Sequence, residues 1–229
     1  MTDRKPARPR GRPPKDASPA PIDTVLVAAL HAFAVHGYHG VSVRTLSREL
    51  GVSHNLLHQR FGSKEGMWYA AVDWGFGNLV AELAKAETEW GDPMARLRRF
   101  IRTFVEFSAR HPDLARVANA EGSAEDEAAG ERLKYLLRGY TGPTIARIVP
   151  LYLELTTAGQ LREIPPETFY YLITSAGLMH SNRAMTTMLF SEAALAEDRV
   201  PAYADSVVSV ILDGLIPRPD GGEPGDGPE

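Results

Sequence analysis

The 229-residue chain contains no cysteine. That single absence removes a disulfide framework, a thiolate metal site and a cysteine nucleophile, and it suits a reducing cytoplasm. No apolar run approaches the roughly 20 residues that a membrane span needs. Behind the basic residues of Met1-Thr2-Asp3-Arg4-Lys5 lies no apolar stretch of the kind a signal peptide requires. Cytoplasmic placement is therefore expected, with neither secretion nor membrane insertion. Strand-type alternation and internal repeats are also missing. So are glycine-rich phosphate loops, a His-Glu-x-x-His helix and a nucleophile elbow, which leaves an enzyme reading without an anchor. No catalytic residue, cofactor or metal is expected.

Apolar residues are plentiful, at 44% of the chain, enough for a real core. Charge is divided unevenly. Residues 1 to 68 carry ten Lys and Arg against five Asp and Glu, a surplus of +5, whereas residues 69 to 229 carry 15 against 24, or −9. Only the basic first third can face phosphate, because an acidic body is repelled by it. Six of the ten cations fall within the first 15 residues, so chance clustering in a tail explains the split equally well.

Residues 1 to 21, rich in Pro, Arg and Ala, read as a disordered basic arm, and residues 217 to 229 as a disordered tail. Between them the pattern is helical. Ile22, Leu26, Ala29, Leu30 and Phe33 recur at helical spacing, with Gly37 placed to stop that helix. Helical patterning resumes over 43 to 50, over 54 to 61 and from Ser63 to about Glu89. Gly91-Asp92-Pro93 and His111-Pro112 break the chain. The acidic stretch 121 to 131 reads as a loop, and helices are expected over 132 to 138 and over 143 to 158 with a kink at Pro150. One helix from Pro165-Pro166 to about Leu189 and another over 202 to 215 complete the reading, which is all-α.

The chemistry concentrates between Ser42 and Phe61. Ser42 can cap one short helix whose Leu46 and Leu50 share a face; Gly51 permits a sharp turn; Ser53 can cap the next helix. At about 100 degrees per residue, His54, Asn55, His58 and Gln59 fall in one arc of about 140 degrees, opposite Leu56, Leu57 and Phe61. Two capped helices around a glycine turn make the arrangement that reads DNA, and Asn and Gln pair with adenine edges in the major groove. Such a pattern alone fits an ordinary helical corner equally well. Arg60 falls on the apolar side of the wheel, its stem able to pack while its head reaches a phosphate. His54 with His58, and His36 with His39, stand close enough to hold a metal, but no third ligand completes either pair.

The wider context carries a family resemblance. The runs 29 to 38 (Ala-Leu-His-Ala-Phe-Ala-Val-His-Gly-Tyr), 42 to 53 and 61 to 67 (Phe-Gly-Ser-Lys-Glu-Gly-Met) resemble, in order and spacing, the N-terminal domain of the TetR family of regulators. What the resemblance implies is a three-helix helix-turn-helix DNA-binding domain, followed by a larger helical ligand-binding and dimerisation domain, here placed at 22 to 66 and 67 to 216. It also implies phosphate contacts by Ser42, Arg44 and Lys64. Ser53, His54, Asn55, His58 and Gln59 then complete the DNA-binding set. The family's usual Gly-Thr-Leu-Tyr is replaced by Asn55-Leu56-Leu57-His58, so a preferred DNA sequence does not transfer.

The segment Pro9-Arg10-Gly11-Arg12-Pro13 resembles an AT-hook, in which Arg10 and Arg12 would enter a narrow minor groove; a flexible cationic tail that only raises nonspecific affinity is the equal alternative. In the larger domain, aromatic and Met residues at helical spacing are ordinarily core. As a set under the family resemblance, Phe104, Phe107, Tyr135, Tyr152, Tyr170, Met179, His180 and Arg183 outline an effector pocket. The stripe Ala204, Val207, Val208, Ile211, Leu215 beside Ser175-Ala176-Gly177 packs either on a second copy or within one chain. The expected partners are double-stranded DNA, a second copy of the chain and an unidentified small apolar or amphipathic ligand, with no membrane. A ligand-responsive dimeric repressor on a palindromic operator is the reading, and an architectural DNA protein without an effector is the alternative.

Overall fold

Start and stop chemistry sets the order of elements. The computed structural model describes residues 21 to 88 and 91 to 217; the basic arm, with Arg10 and Arg12, and nearly all of the tail lie outside these. Among the described residues there is no strand, and no helix long and apolar enough to cross a membrane.

The first helix, α1 (Ile22–Gly40), changes direction at Gly37, whose φ of 66° ends its regular run as the glycine's position led one to expect. Next come α2 (Val43–Glu49), α3 (His54–Phe61) and the long α4 (Lys64–Thr88). Asp92 caps α5 (Pro93–Arg110), its carboxylate accepting from the Ala95 N–H at 3.0 Å. His111-Pro112 separates α5 from α6 (Pro112–Ser123).

Three expectations are corrected beyond this point. The acidic stretch 121 to 131 is mostly helical, because α6 runs to Ser123 and α7 (Glu127–Leu136) starts on Asp126, which accepts from the Ala129 N–H at 2.8 Å. Glu121 is not solvated either; it meets Arg132 at 2.8 Å with both side chains 4% exposed. After α7 the two expected segments are joined, because the winding loosens into a π-turn (Leu137–Thr141) and tightens again as α8 (Gly142–Thr157), which contains Pro150. The single helix expected up to Leu189 is three: α9 (Pro166–Ser175), α10 (Leu178–Ser181) and α11 (Arg183–Leu189). The last helix, α12, spans Val200–Leu215.

Packing divides the chain differently from a boundary at 66/67. One core gathers Leu26, Phe33, Leu46, Leu57, Trp68 and Val72 from α1 to α4, and is closed by Leu114, Val117 and Leu136 from α6 and α7. The other is built from the second half of α4 with α5, α8, α9 and α12. Helix α4 therefore belongs to both. Its Gly75 lets α6 close in, since a Cβ there would stand 2.6 Å from Leu114. The stripe on α12 is internal as well: Ala204, Val208, Ile211 and Leu215 are buried within one chain, and α12 packs on α5.

Candidate functional site

The helix-turn-helix is held by two serine caps and one turn. Ser42 accepts from the Thr45 N–H (3.4 Å) and Ser53 from the Leu56 N–H (3.1 Å), satisfying donors that the first helical turn leaves unpaired. Between them Gly51 adopts φ 65°, a region where a side chain would be strained. Leu57 is the anchor of α3, buried to 1% in the first core, and Leu46 of α2 is buried beside it.

With that face fixed inward, His54, Asn55, His58, Gln59 and Arg60 all point outward and are exposed. Arg60 thus joins the polar surface, although the helical wheel set it on the apolar side. The rings of His54 and His58 stand 6.3 Å apart. Among the described residues no group of three or more His, Asp or Glu gathers to hold a metal. Ser42 and Arg44 are exposed at the start of α2, as a phosphate contact requires. Lys64 is differently placed: its ammonium donates to the His39 carbonyl (3.2 Å) and lies 4.7 Å over the Tyr38 ring. Burial, and after it the Arg132 charge, pull this ammonium below the usual lysine range.

Arg132 of α7 ties α1 to α6. Its guanidinium lies 3.8 Å over Tyr38 and 5.9 Å from the Trp68 ring while it holds Glu121. Desolvation raises the Glu121 carboxyl, and Arg132 opposes that rise. A second tie joins His31 of α1 to Asp113 of α6 at 2.9 Å.

Beside α4 lies a cavity of about 640 Å³, within the range of small-molecule sites. Phe76, Leu79 and Val80 of α4 form one wall; α5, α6, α7, the π-turn, α8 and α9 supply the others. A chamber of about 250 Å³ adjoins it. Of the eight residues expected to line a pocket, Phe104 and Tyr170 line both spaces, and the other six lie elsewhere. Tyr152 is core, its hydroxyl donating to the Ile164 carbonyl at 3.0 Å and its ring stacked on Phe169. Phe107 rests on His111, and Thr186 donates to the Met179 carbonyl. His180 is buried beside Tyr203, and Arg183 is exposed and paired with Glu192. Tyr135 turns its hydroxyl to Asp73 of α4 at 2.6 Å; burial and that carboxylate push its phenol up to about 12.

Sequence reasoning missed Tyr140, Thr144 and Thr174 as cavity residues. Tyr140 with Thr144 and Tyr170 with Thr174 are pairs four apart, so hydroxyls share one face inside otherwise apolar helices. That pattern was the available signal. The Tyr140 hydroxyl also donates to Asp73, at 2.6 Å, so one carboxylate of α4 holds the cavity wall through Tyr140 and the neighbouring helix α7 through Tyr135.

A groove-sized polar helix joined through one continuous helix to a cavity-bearing half is the build of a helix-turn-helix transcriptional regulator. The comparisons agree along nearly the whole chain. Residues 25–71 match the family model of bacterial regulatory proteins of the tetR family, and residues 93–211 match a Tetracyclin repressor-like C-terminal domain. The transcriptional regulator RutR of Escherichia coli (strain K12) is 26% identical over 195 residues, covering 85% of this chain and 90% of RutR. The repressor NicS of Pseudomonas putida is 23% identical over 195 residues, covering 84% and 91%. Among solved structures, the ketosteroid transcriptional regulator KstR2 of Mycobacterium tuberculosis superposes with a TM-score of 0.68 at 16% identity, covering 86% and 95%. FadR from Bacillus subtilis, in complex with stearoyl-CoA, gives 0.62 at 17%, covering 85% and 100%. The chain belongs to the TetR family and is a DNA-binding transcriptional regulator.

Proposed function

We propose that this regulator is a cytoplasmic, ligand-responsive repressor that binds a palindromic operator as a dimer and leaves it when the cavity beside α4 fills. One observation carries the reading: α4 is continuous from Met67 and Trp68, in the core under the recognition helix, to Phe76, Leu79 and Val80 in the cavity wall. A ligand that displaces Tyr140 pulls on Asp73 and so tilts α4. Half-sites lie about one helical turn apart, so a small change in the separation of two recognition helices weakens both dockings together. His54, Asn55, His58 and Gln59 read bases; Ser42, Arg44, Ser53 and, once freed from His39, Lys64 hold the backbone. Arg10 and Arg12 add minor-groove contacts.

The dimer face we assign to α11 and its flank. Met185, Met188, Leu189 and Phe190 are 57%, 87%, 67% and 76% exposed, an apolar run that a lone chain rarely leaves in water. Met188→Glu with Phe190→Glu is expected to yield monomers by light scattering.

Selection of bound DNA from a random pool tests the whole reading. Wild type is expected to enrich an inverted repeat, and Asn55→Ala/His58→Ala/Gln59→Ala to lose it, each good base contact being worth about 1–3 kcal/mol. Recovery of unrelated sequences by wild type would favour the architectural alternative instead.

A further inference from the structure

The cavity and its neighbour form one elongated space. Phe104, Thr144, Tyr170 and Thr174 line both chambers and make the neck between them. At that neck the threonine hydroxyls donate within their own helices. Thr144 donates to the Tyr140 carbonyl at 2.7 Å and Thr174 to the Tyr170 carbonyl at 3.0 Å, so their protons are committed and only their oxygens' acceptor capacity is left to a ligand. Beyond the neck the smaller chamber is walled by Phe100, Ile145, Ile148, Phe169 and Ile173, with Glu167 its one charged residue.

The larger chamber is mostly apolar but carries several uncharged polar groups and no charged one. Ser108, Asn119, Thr141 and Tyr170 lie along it, and none of these side chains hydrogen-bonds to another described residue. No Lys, Arg or His lines either chamber among the described residues. Of the cations on the surrounding helices, Arg116 is held by Asp113 and the Ser181 carbonyl and Arg147 by Glu87, while Arg138 of the π-turn is exposed and does not line the cavity. A carboxylate or phosphate entering here would lose its hydration and find no counter-charge, which is costly, whereas hydroxyls and carbonyls find unpaired partners.

Resting on the reading of this cavity as the effector site, we propose that its ligand is an uncharged, elongated amphipath. Its hydroxyl- or ester-bearing head meets Ser108, Asn119, Thr141 and Tyr170, and its aliphatic or alicyclic tail passes the neck into the smaller chamber. Free fatty acids, acyl-CoA thioesters and nucleotides are excluded by charge.

The test uses the full chain and three probes that share one tail: monododecanoylglycerol, dodecanoate and dodecanoyl-CoA, each below its micellar concentration, with Kd read by calorimetry. The glyceride is expected to bind at least about tenfold more tightly than either anion. Thr174→Phe, which plugs the neck, is expected to weaken the glyceride about tenfold while the circular dichroism stays unchanged. Should that variant not fold, Thr141→Lys serves instead, and it is expected to shift the preference toward dodecanoate. Tighter binding of either anion, binding of none of the three, or glyceride affinity indifferent to the folded variants overturns the proposal. Operator release, followed separately by fluorescence anisotropy, judges the function it rests on. An anion that binds and releases DNA leaves a ligand-responsive repressor with a different ligand, and a glyceride that binds as expected without releasing DNA leaves the cavity assignment and removes the response.

Discussion

Helix α3 and the cavity beside α4 are assembled in opposite ways. The side chains proposed to read bases lie within six consecutive positions, His54 to Gln59, and two serine caps, one glycine and one buried leucine suffice to orient them. The cavity draws its walls from residues as far apart as Phe76 and Leu178, and no two neighbouring helices enclose it alone. A short helix thus carries its chemistry wherever it is docked, while a cavity exists only after long-range packing is complete. The two are joined where α6 and α7 close the first core.

The largest effect is expected where the halves meet. Glu121→Ala leaves Arg132 buried and unpaired, and should cost about 3–5 kcal/mol in urea unfolding, while Glu121→Leu with Arg132→Met recovers most of it. Were the DNA-reading unit self-contained, Glu121→Ala would leave operator affinity untouched; we expect affinity to fall, because Tyr38 loses its support.

Next comes the anchor of α3. Leu57→Ala should cost about 2–5 kcal/mol and abolish operator binding, with the cavity's ligand affinity preserved wherever the protein remains folded. Loss of the Ser53 cap by Ser53→Ala should cost about 1 kcal/mol, and Ser53→Asp should restore it.

Acid probes the other half. Burial lowers the His180 imidazole below its ordinary range, with Glu197 opposing weakly, and its Nδ1 has no hydrogen-bond partner. The folded protein therefore keeps His180 neutral, while the unfolded chain takes a proton near pH ~6.5. This contribution to stability is complete above that pH and is lost as pH falls through it toward the lowered folded value. His180→Gln should flatten the acid-side decline in Tm; an unchanged profile would show that the decline arises elsewhere.

The smallest effect concerns Arg183, a residue the sequence pattern offered as a pocket handle. It is exposed and paired with Glu192, so Arg183→Ala should cost no more than about 1 kcal/mol and leave effector Kd unchanged.

The helices up to α5, the caps Ser42 and Ser53, the turn at Gly51 and the outward set on α3 followed from sequence because each rests on contacts within a few residues. Aromatic residues of the larger half were legible as helical and apolar, but not by role. Tyr152 and Tyr170 are both tyrosines of amphipathic helices, yet one is core and the other faces the cavity. Glu121 read as a loop residue because its counter-charge, Arg132, lies across a helix-helix turn that no local pattern announces. The α12 stripe offered two partners, and only packing on α5 decided for the chain itself. Short-range hydrogen bonds and helical periodicity are written into neighbouring residues; which apolar faces meet, where they fail to fill space and which buried charges find each other depend on the sum of all contacts, and so on the tertiary structure alone.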